Sequence, residues 1–139
     1  ALPISKAVFS RAAGGPAGQF DHIVTQYIYD NDCVVTAEGG WAMTPGFGFE
    51  MSFNVVLEKA TISYDCTRQP AFKVAPTRGE AFTPKIASGD GYSNEIAHFV
   101  KAVRGKSVPA IITPAQSVDS LRLVLAEKRS AAAGRKVTI

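Results

Sequence analysis

The stretch FDHIVTQYIYDNDCVVTAEGGWA occupies positions 20–42. In residues 20–29, apolar and aromatic side chains fall on both sides of a period-two pattern. Phe20, Val24 and Ile28 share one face; Ile23, Tyr27 and Tyr29 share the other. Asp30-Asn31-Asp32 reads as a tight turn and residues 33–42 as the return strand, so the segment is a β-hairpin. Gly39 and Gly40 ahead of Trp41 predict a bulge or a close backbone approach. If helices cover one face of this hairpin, the other face needs a partner, because monomers rarely leave large apolar patches in water. The expected open face is the Ile23, Tyr27 and Tyr29 side, and the expected partner is a second copy of the chain, meeting it face to face about a two-fold axis.

More strands flank the hairpin. Residues 49–58 alternate more cleanly than any other segment, with Phe49, Met51, Phe53, Val55 and Leu57 on one face. Lys59 and Ala60 turn the chain, residues 61–65 return, and a short strand is expected around Phe72–Val74. Residues 4–12 are a further strand candidate, separated from the hairpin by GGPAG at 14–18. Residues 76–91 are rich in Pro, Gly, Ser and charge and read as a long loop.

The period then changes. Tyr92, Ile96, Phe99, Val100 and Val103 recur at helical spacing as one apolar stripe, capped by Asp90 and ended by Arg104-Gly105. A second helix opens on Thr113-Pro114-Ala115-Gln116, a capping box with Pro at N1. Its expected buried face is Val118, Leu121, Val124 and Leu125; Gly134 stops it, and KVTI at 136–139 is a short last strand. The order predicts an α+β fold: an open-faced, predominantly antiparallel β-sheet with two helices packed on one face, the whole of 1–139 forming one domain.

The composition is 46% hydrophobic and 19% charged, ordinary for a folded domain, and no apolar run approaches the ~18 residues of a membrane helix. Membrane association is not expected. The net charge is +3, with the basic residues concentrated after position 100 on a helix face and turns. They lack the interleaved aromatics of a phosphate-tracking groove, so no nucleic-acid partner is expected. Cys33 and Cys66 form no CxxC and have no ligand-spaced His. They read as buried free thiols of a cytoplasmic protein; a disulfide would require export. The chain opens on Ala1 rather than Met, which fits a processed chain or an excised piece of a longer one.

Chemistry is sparse. Glu95 and His98 are three apart on the first helix, but a carboxylate-bridged metal pair needs a second Glu-x-x-His, and none is present. Both residues flank the apolar stripe and read as edge positions. No Gly-x-Ser-x-Gly elbow, Walker loop or G-x-G-x-x-G fingerprint occurs. The glycines of GWAMTPGFG (40–48) join two strands and open no helix, so they present no helix N-terminus to a phosphate. Asp21 and His22 could serve a small cone-shaped α+β enzyme only as a pair, and alternation puts them on opposite faces. No catalytic, cofactor-binding or metal residue is assigned.

Residues 19–139 resemble the C-terminal half of the Gfo/Idh/MocA oxidoreductases, relatives of glucose–fructose oxidoreductase and inositol dehydrogenase. The most specific part is 92–139: Tyr92, Glu95 and Phe99 on one helix, the Gly105-Lys106 turn, the capped Ala/Leu-rich helix, and the closing Gly134-Arg135-x-Val137 strand. The hairpin with Glu38-Gly39-Gly40-Trp41 comes next. The resemblance implies an open-faced sheet whose free face meets a second subunit or the substrate crevice. Family members begin with a nicotinamide-binding Rossmann domain and draw their catalytic Lys and His from a Glu-Lys-Pro stretch and an Asp-x-x-x-His helix. This chain contains neither, and His22 and His98 do not match the catalytic His. Leu57-Glu58-Lys59-Ala60 and Asp30-Asn31-Asp32 depart from the family's Gly-containing turns.

The resemblance thus implies the substrate-binding and dimerisation domain of an NAD- or NADP-dependent oxidoreductase acting on a sugar, polyol or related compound, with no cofactor bound by this chain alone. The alternative is a stand-alone, non-catalytic binding or assembly module of the same fold. For a polyhydroxylated ligand the candidate contacts are His22, Tyr92 and Asn94, with Trp41 as a stacking platform; core packing competes for Tyr92 and Trp41, and an exposed first-turn position for Asn94. Without a phosphate-binding turn, calorimetric titration with NADH or NADPH is expected to give a dissociation constant weaker than ~10 μM. Tighter binding would show that the chain carries a nucleotide site of another kind.

Overall fold

The computed structural model describes residues 5–14, 19–86, 88–109 and 111–139. Ile4 and residues 15–18 of the expected first strand and its connection lie outside these. The elements run β1 (Ala7–Gly14), β2 (Phe20–Ile28), β3 (Val35–Gly40), β4 (Ser52–Val56), β5 (Ala60–Asp65), β6 (Phe72–Pro76), α1 (Gly91–Val103), α2 (Pro114–Ala133) and β7 (Val137–Thr138). All paired strands are antiparallel. The α+β class, the antiparallel pairing and the element order are those the sequence predicts. The strands divide between two open sheets, one ordered β3-β2-β1-β7 and the other β4-β5-β6. The chain likewise forms two compact units, Ala1–Thr44 with Pro109–Ile139, and Pro45–Val108.

In the first unit α2 packs on β1 and β7. Its start is the predicted capping box: Gln116 N donates to Thr113 Oγ1 and Thr113 N to Gln116 Oε1. Its end is Gly134 in the left-handed region (φ 64°), where a side chain would be strained. The buried face of α2 differs from the expected one. Ala126 and Ser130 are buried, with Asp119, Leu123 and Glu127 half-buried, while Val118, Leu121, Val124 and Leu125 stay exposed. Small side chains let the helix approach the strand closely enough for hydrogen bonds, which the bulky face would prevent.

Those bonds are specific. β7 pairs only with Ala7 and Val8 of β1. Beyond its end, the Ser10 N–H donates to Ser130 Oγ at 2.9 Å, and that hydroxyl donates to Arg135 O at 2.7 Å. Ser10 Oγ in turn meets Thr25 Oγ1 of β2 at 2.8 Å. One step along, Tyr27 donates to Glu127 Oε1 at 2.6 Å. Tyr27 therefore lies beneath α2, and so does the Ile23 and Tyr27 side of β2. This overturns the expected open face. The register places Phe9 opposite Gln26 and Arg11 opposite Val24, so the face free of α2 carries Phe9, Val24 and Ile28. Alternation separates two faces but does not say which one a helix will cover.

In the second unit β4, β5 and β6 form a meander. Phe53, Tyr64 and Phe72 line up across it, with Phe53 and Tyr64 stacked at 5.5 Å between ring centroids. Val55, Ile62 and Val74 share that face, as the alternation of 49–58 predicts. Leu57 N donates to Ala60 O, closing the glycine-free turn at 57–60 with no left-handed residue. The expected long loop is partly fastened: Phe82 folds back to bridge Val74, and Thr77 N donates to Lys59 O.

Helix α1 begins as predicted, with Ser93 N donating to Asp90 Oδ1 at 2.7 Å. That backbone bond holds the Asp90 carboxyl below the usual carboxylate range. Its apolar stripe, however, is not buried. Phe99 is 66% exposed, Tyr92, Ile96, Val100 and Val103 are exposed too, and α1 has no buried residue. Helical period reports a stripe, not the presence of something to cover it. Neither thiol is buried as expected: Cys33 is exposed in the hairpin turn, and Cys66 is half-buried with its Sγ accepting from Met51 N.

Two stability predictions result. Ser130→Ala leaves the Ser10 N–H buried without a partner and is expected to cost ~1–3 kcal/mol. Phe99→Ala should stay within ~0.5 kcal/mol, the range for exposed positions. Denaturant midpoints followed by circular dichroism decide between them; equal losses would mean that the α1 stripe is covered. Burial, followed by the Glu127 carboxylate, raises the Tyr27 phenol well above its ordinary 10.0. The folded state therefore favours the neutral phenol. Its contribution is full below pH ~10 and is lost as pH rises from there toward the folded-state value. Tyr27→Phe should abolish that alkaline component of the unfolding curve while leaving the neutral-pH fold intact.

Candidate functional site

The hairpin register builds a polar pair on the sheet face away from α2. β2 and β3 pair symmetrically about Asn31, setting His22 opposite Gly40 and Val24 opposite Glu38. His22 and Glu38 are then diagonal neighbours on one face, and His22 Nε2 lies 3.0 Å from Glu38 Oε1. The His22 side chain is 25% exposed and that of Glu38 65%, so the pair sits at the surface of the sheet. An ionised Glu38 only accepts, so Nε2 carries the proton.

Gly40 is required by proximity. A Cβ built there would fall 2.5 Å from His22 Nδ1 and 2.7 Å from Asp21 O. This is the close backbone approach expected from Gly39-Gly40, and it is tightened by Trp41 N donating to Asp21 O at 2.7 Å. Asp21 alternates to the other face from His22, so the two form no catalytic pair. Neither Glu38 nor Gly40 was among the sequence candidates. A turn centred on Asn31 was the signal that could have found both, because it fixes which residues face His22.

The other candidates are distributed between the units. Trp41 follows β3 in the first unit and is 92% exposed. Tyr92 and Asn94 lie in the first turn of α1 in the second unit, Tyr92 81% exposed and Asn94 also at the surface. Core packing is excluded for both aromatics by these exposures. The Asn94 side chain lies beside Gly89, which takes φ 94° ahead of the helix cap. On the same helix Glu95 is exposed and His98 half-buried. Among the described residues no group of three His, Cys, Asp or Glu side chains could hold a metal ion. A depression of about 420 Å³ lined by Ser5, Lys6, Asp119, Arg122, Thr138 and Ile139 contains none of the four candidates. No helix of the described residues is long and apolar enough to cross a membrane.

No protein-family model matches the chain, and no curated protein matches it. Solved structures do. A WlbA dehydrogenase from Chromobacterium violaceum, solved with NADH and UDP-GlcNAcA, superposes with a TM-score of 0.75 at 18% identity, over 99% of this chain and 41% of that one. An aldose-aldose oxidoreductase from Caulobacter crescentus, complexed with glycerol, gives 0.75 at 15% identity, over 98% and 42%. Levoglucosan dehydrogenase with NADH and levoglucosan gives 0.69 at 20% identity, over 98% and 45%. At these identities the likeness is one of fold, and the chain spans less than half the length of each of these proteins.

Trp41 is the single tryptophan, which makes its environment directly measurable. Its fluorescence is expected to have the red-shifted maximum of a water-exposed indole and to be quenched readily by acrylamide. Blue-shifted, protected emission in the isolated chain would show that something covers it.

Proposed function

We propose that this chain is the C-terminal, substrate-binding and dimerisation part of an NAD- or NADP-dependent oxidoreductase acting on a sugar, polyol or related compound. The observation that carries this reading is the superposition of nearly the whole chain on 41–45% of three dehydrogenase and oxidoreductase structures. It accords with the family resemblance of residues 19–139. The nicotinamide cofactor and the catalytic Lys and His then belong to a Rossmann domain outside this sequence, and the present chain supplies ligand contacts. The candidate contacts are His22 and Trp41 in the first unit and Tyr92 and Asn94 in the second. Two ligands of the similar structures, UDP-GlcNAcA and levoglucosan, are polyhydroxylated, which suits contacts from imidazole, indole, phenol and carboxamide groups.

The dimer contact in this reading is the sheet face opposite α2. It holds Phe9 and Val24, both exposed, and Ile28. Val24→Glu is the substitution that tests it, since Tyr27→Glu would strike the α2 interface and unfold the unit instead. Sedimentation at roughly 100 μM, where a micromolar dissociation constant gives mostly dimer, should show a dimer that Val24→Glu converts to monomer. A wild-type monomer, or a dimer indifferent to the substitution, removes this face from the proposal.

The wider reading is tested on the gene and then the enzyme. An upstream reading frame of ~120 or more residues with a G-x-G-x-x-G turn is expected. The joined protein should reduce NAD or NADP in the presence of a sugar or polyol. A reading frame that starts at the present N-terminus would leave the stand-alone binding module as the function.

A further inference from the structure

We propose that His22 offers its Nδ1 lone pair as a hydrogen-bond acceptor to a ligand hydroxyl, and that Glu38 and Gly40 are the positioning residues that hold it in that state. This rests on the reading of His22 as a ligand contact and specifies the atom and the polarity of that contact.

Three observations converge on it. Glu38 Oε1 lies 3.0 Å from His22 Nε2, and a carboxylate can only accept, so the neutral ring has its proton on Nε2 and its lone pair on Nδ1. Among the described residues no hydrogen-bond donor to Nδ1 is present. Nδ1 also faces the position where any residue but glycine would place a Cβ, only 2.5 Å away. Asp21 O and His22 Cα, at 2.7 and 3.0 Å from the same point, are backbone atoms that cannot give way, so relief would come from turning the imidazole off Glu38. Gly40 thus lets the ring keep its place against the strand, in contact with Glu38. A ligand with hydroxyl donors is recognised by such an acceptor; one that presents only acceptors is not.

The test is nitrogen-15 NMR of the His22 ring in the 139-residue chain, at a pH where the imidazole is neutral, with levoglucosan as the probe and Trp41 fluorescence as a second readout. The expected spectrum shows Nε2 protonated and Nδ1 bare. Saturating levoglucosan should move the Nδ1 resonance toward the hydrogen-bonded position and leave Nε2 nearly unchanged. Glu38→Ala should give a mixture of tautomers and lose the Nδ1 response while keeping the fold; Gly40→Ala, if its circular dichroism is native, should do the same. A ring protonated on Nδ1, or a Glu38→Ala variant with the wild-type pattern, overturns the inference and leaves His22 as a contact of another kind. Trp41 fluorescence that responds to the sugar without any change at Nδ1 also overturns it and leaves the ligand-binding reading standing. Silence of both Trp41 and Nδ1 at saturating sugar overturns both.

Discussion

The four-stranded unit depends on one hydroxyl. Ser130 Oγ accepts the Ser10 N–H of β1 and donates to Arg135 O in the segment that leads into β7. A two-residue strand is too short to satisfy the neighbouring strand along its length, and a buried amide without a partner costs ~1–3 kcal/mol. Ser130 completes the ladder where β7 stops, so the helix, the strand before it and the strand after it are joined at a single point. The bond also explains the composition of the interface. A hydroxyl reaches a backbone amide only if the helix comes close, and Ala126 together with Ser130 provides that approach.

A helix placed in this way determines which face of the hairpin is covered. The Ser10–Thr25 and Tyr27–Glu127 bonds extend the polar contact across β1 and β2, and all the groups involved point to one side of the sheet. The opposite side is left to Phe9, Val24, His22 and Glu38, where an apolar patch and a polar pair lie next to each other. The large side chains that α2 turns outward, Val118, Leu121, Val124 and Leu125, are a consequence of the same choice.

The His22–Glu38 pair shows how backbone pairing creates a site from residues that carry no motif. Neither residue is unusual in sequence. The turn centred on Asn31 brings them onto one face, and the absence of a side chain at Gly40 gives the imidazole its place. The cluster is at the surface of the sheet.

Local chemistry in the sequence was sufficient for the elements themselves. Asp90 and the Thr113–Gln116 box, Gly134 at a left-handed C-cap, the alternation of 49–58 and the antiparallel hairpin all act over a few residues, so their signals are complete in a short window. The α+β class and the close approach at Gly40 were legible for the same reason. What the sequence could not determine was which apolar faces meet. The α1 stripe recurs at helical spacing and is exposed, as are the bulky side chains of α2, while α2 is held by alanine, serine and a glutamate that hydropathy ranks as surface residues. Tyr27 and Val24 have equal claims to the core by pattern, and only the position of α2 separates them. Burial is a property of pairs of surfaces, set by how closely two backbones can come and which hydrogen bonds they must satisfy, and that information exists only once the chain is folded.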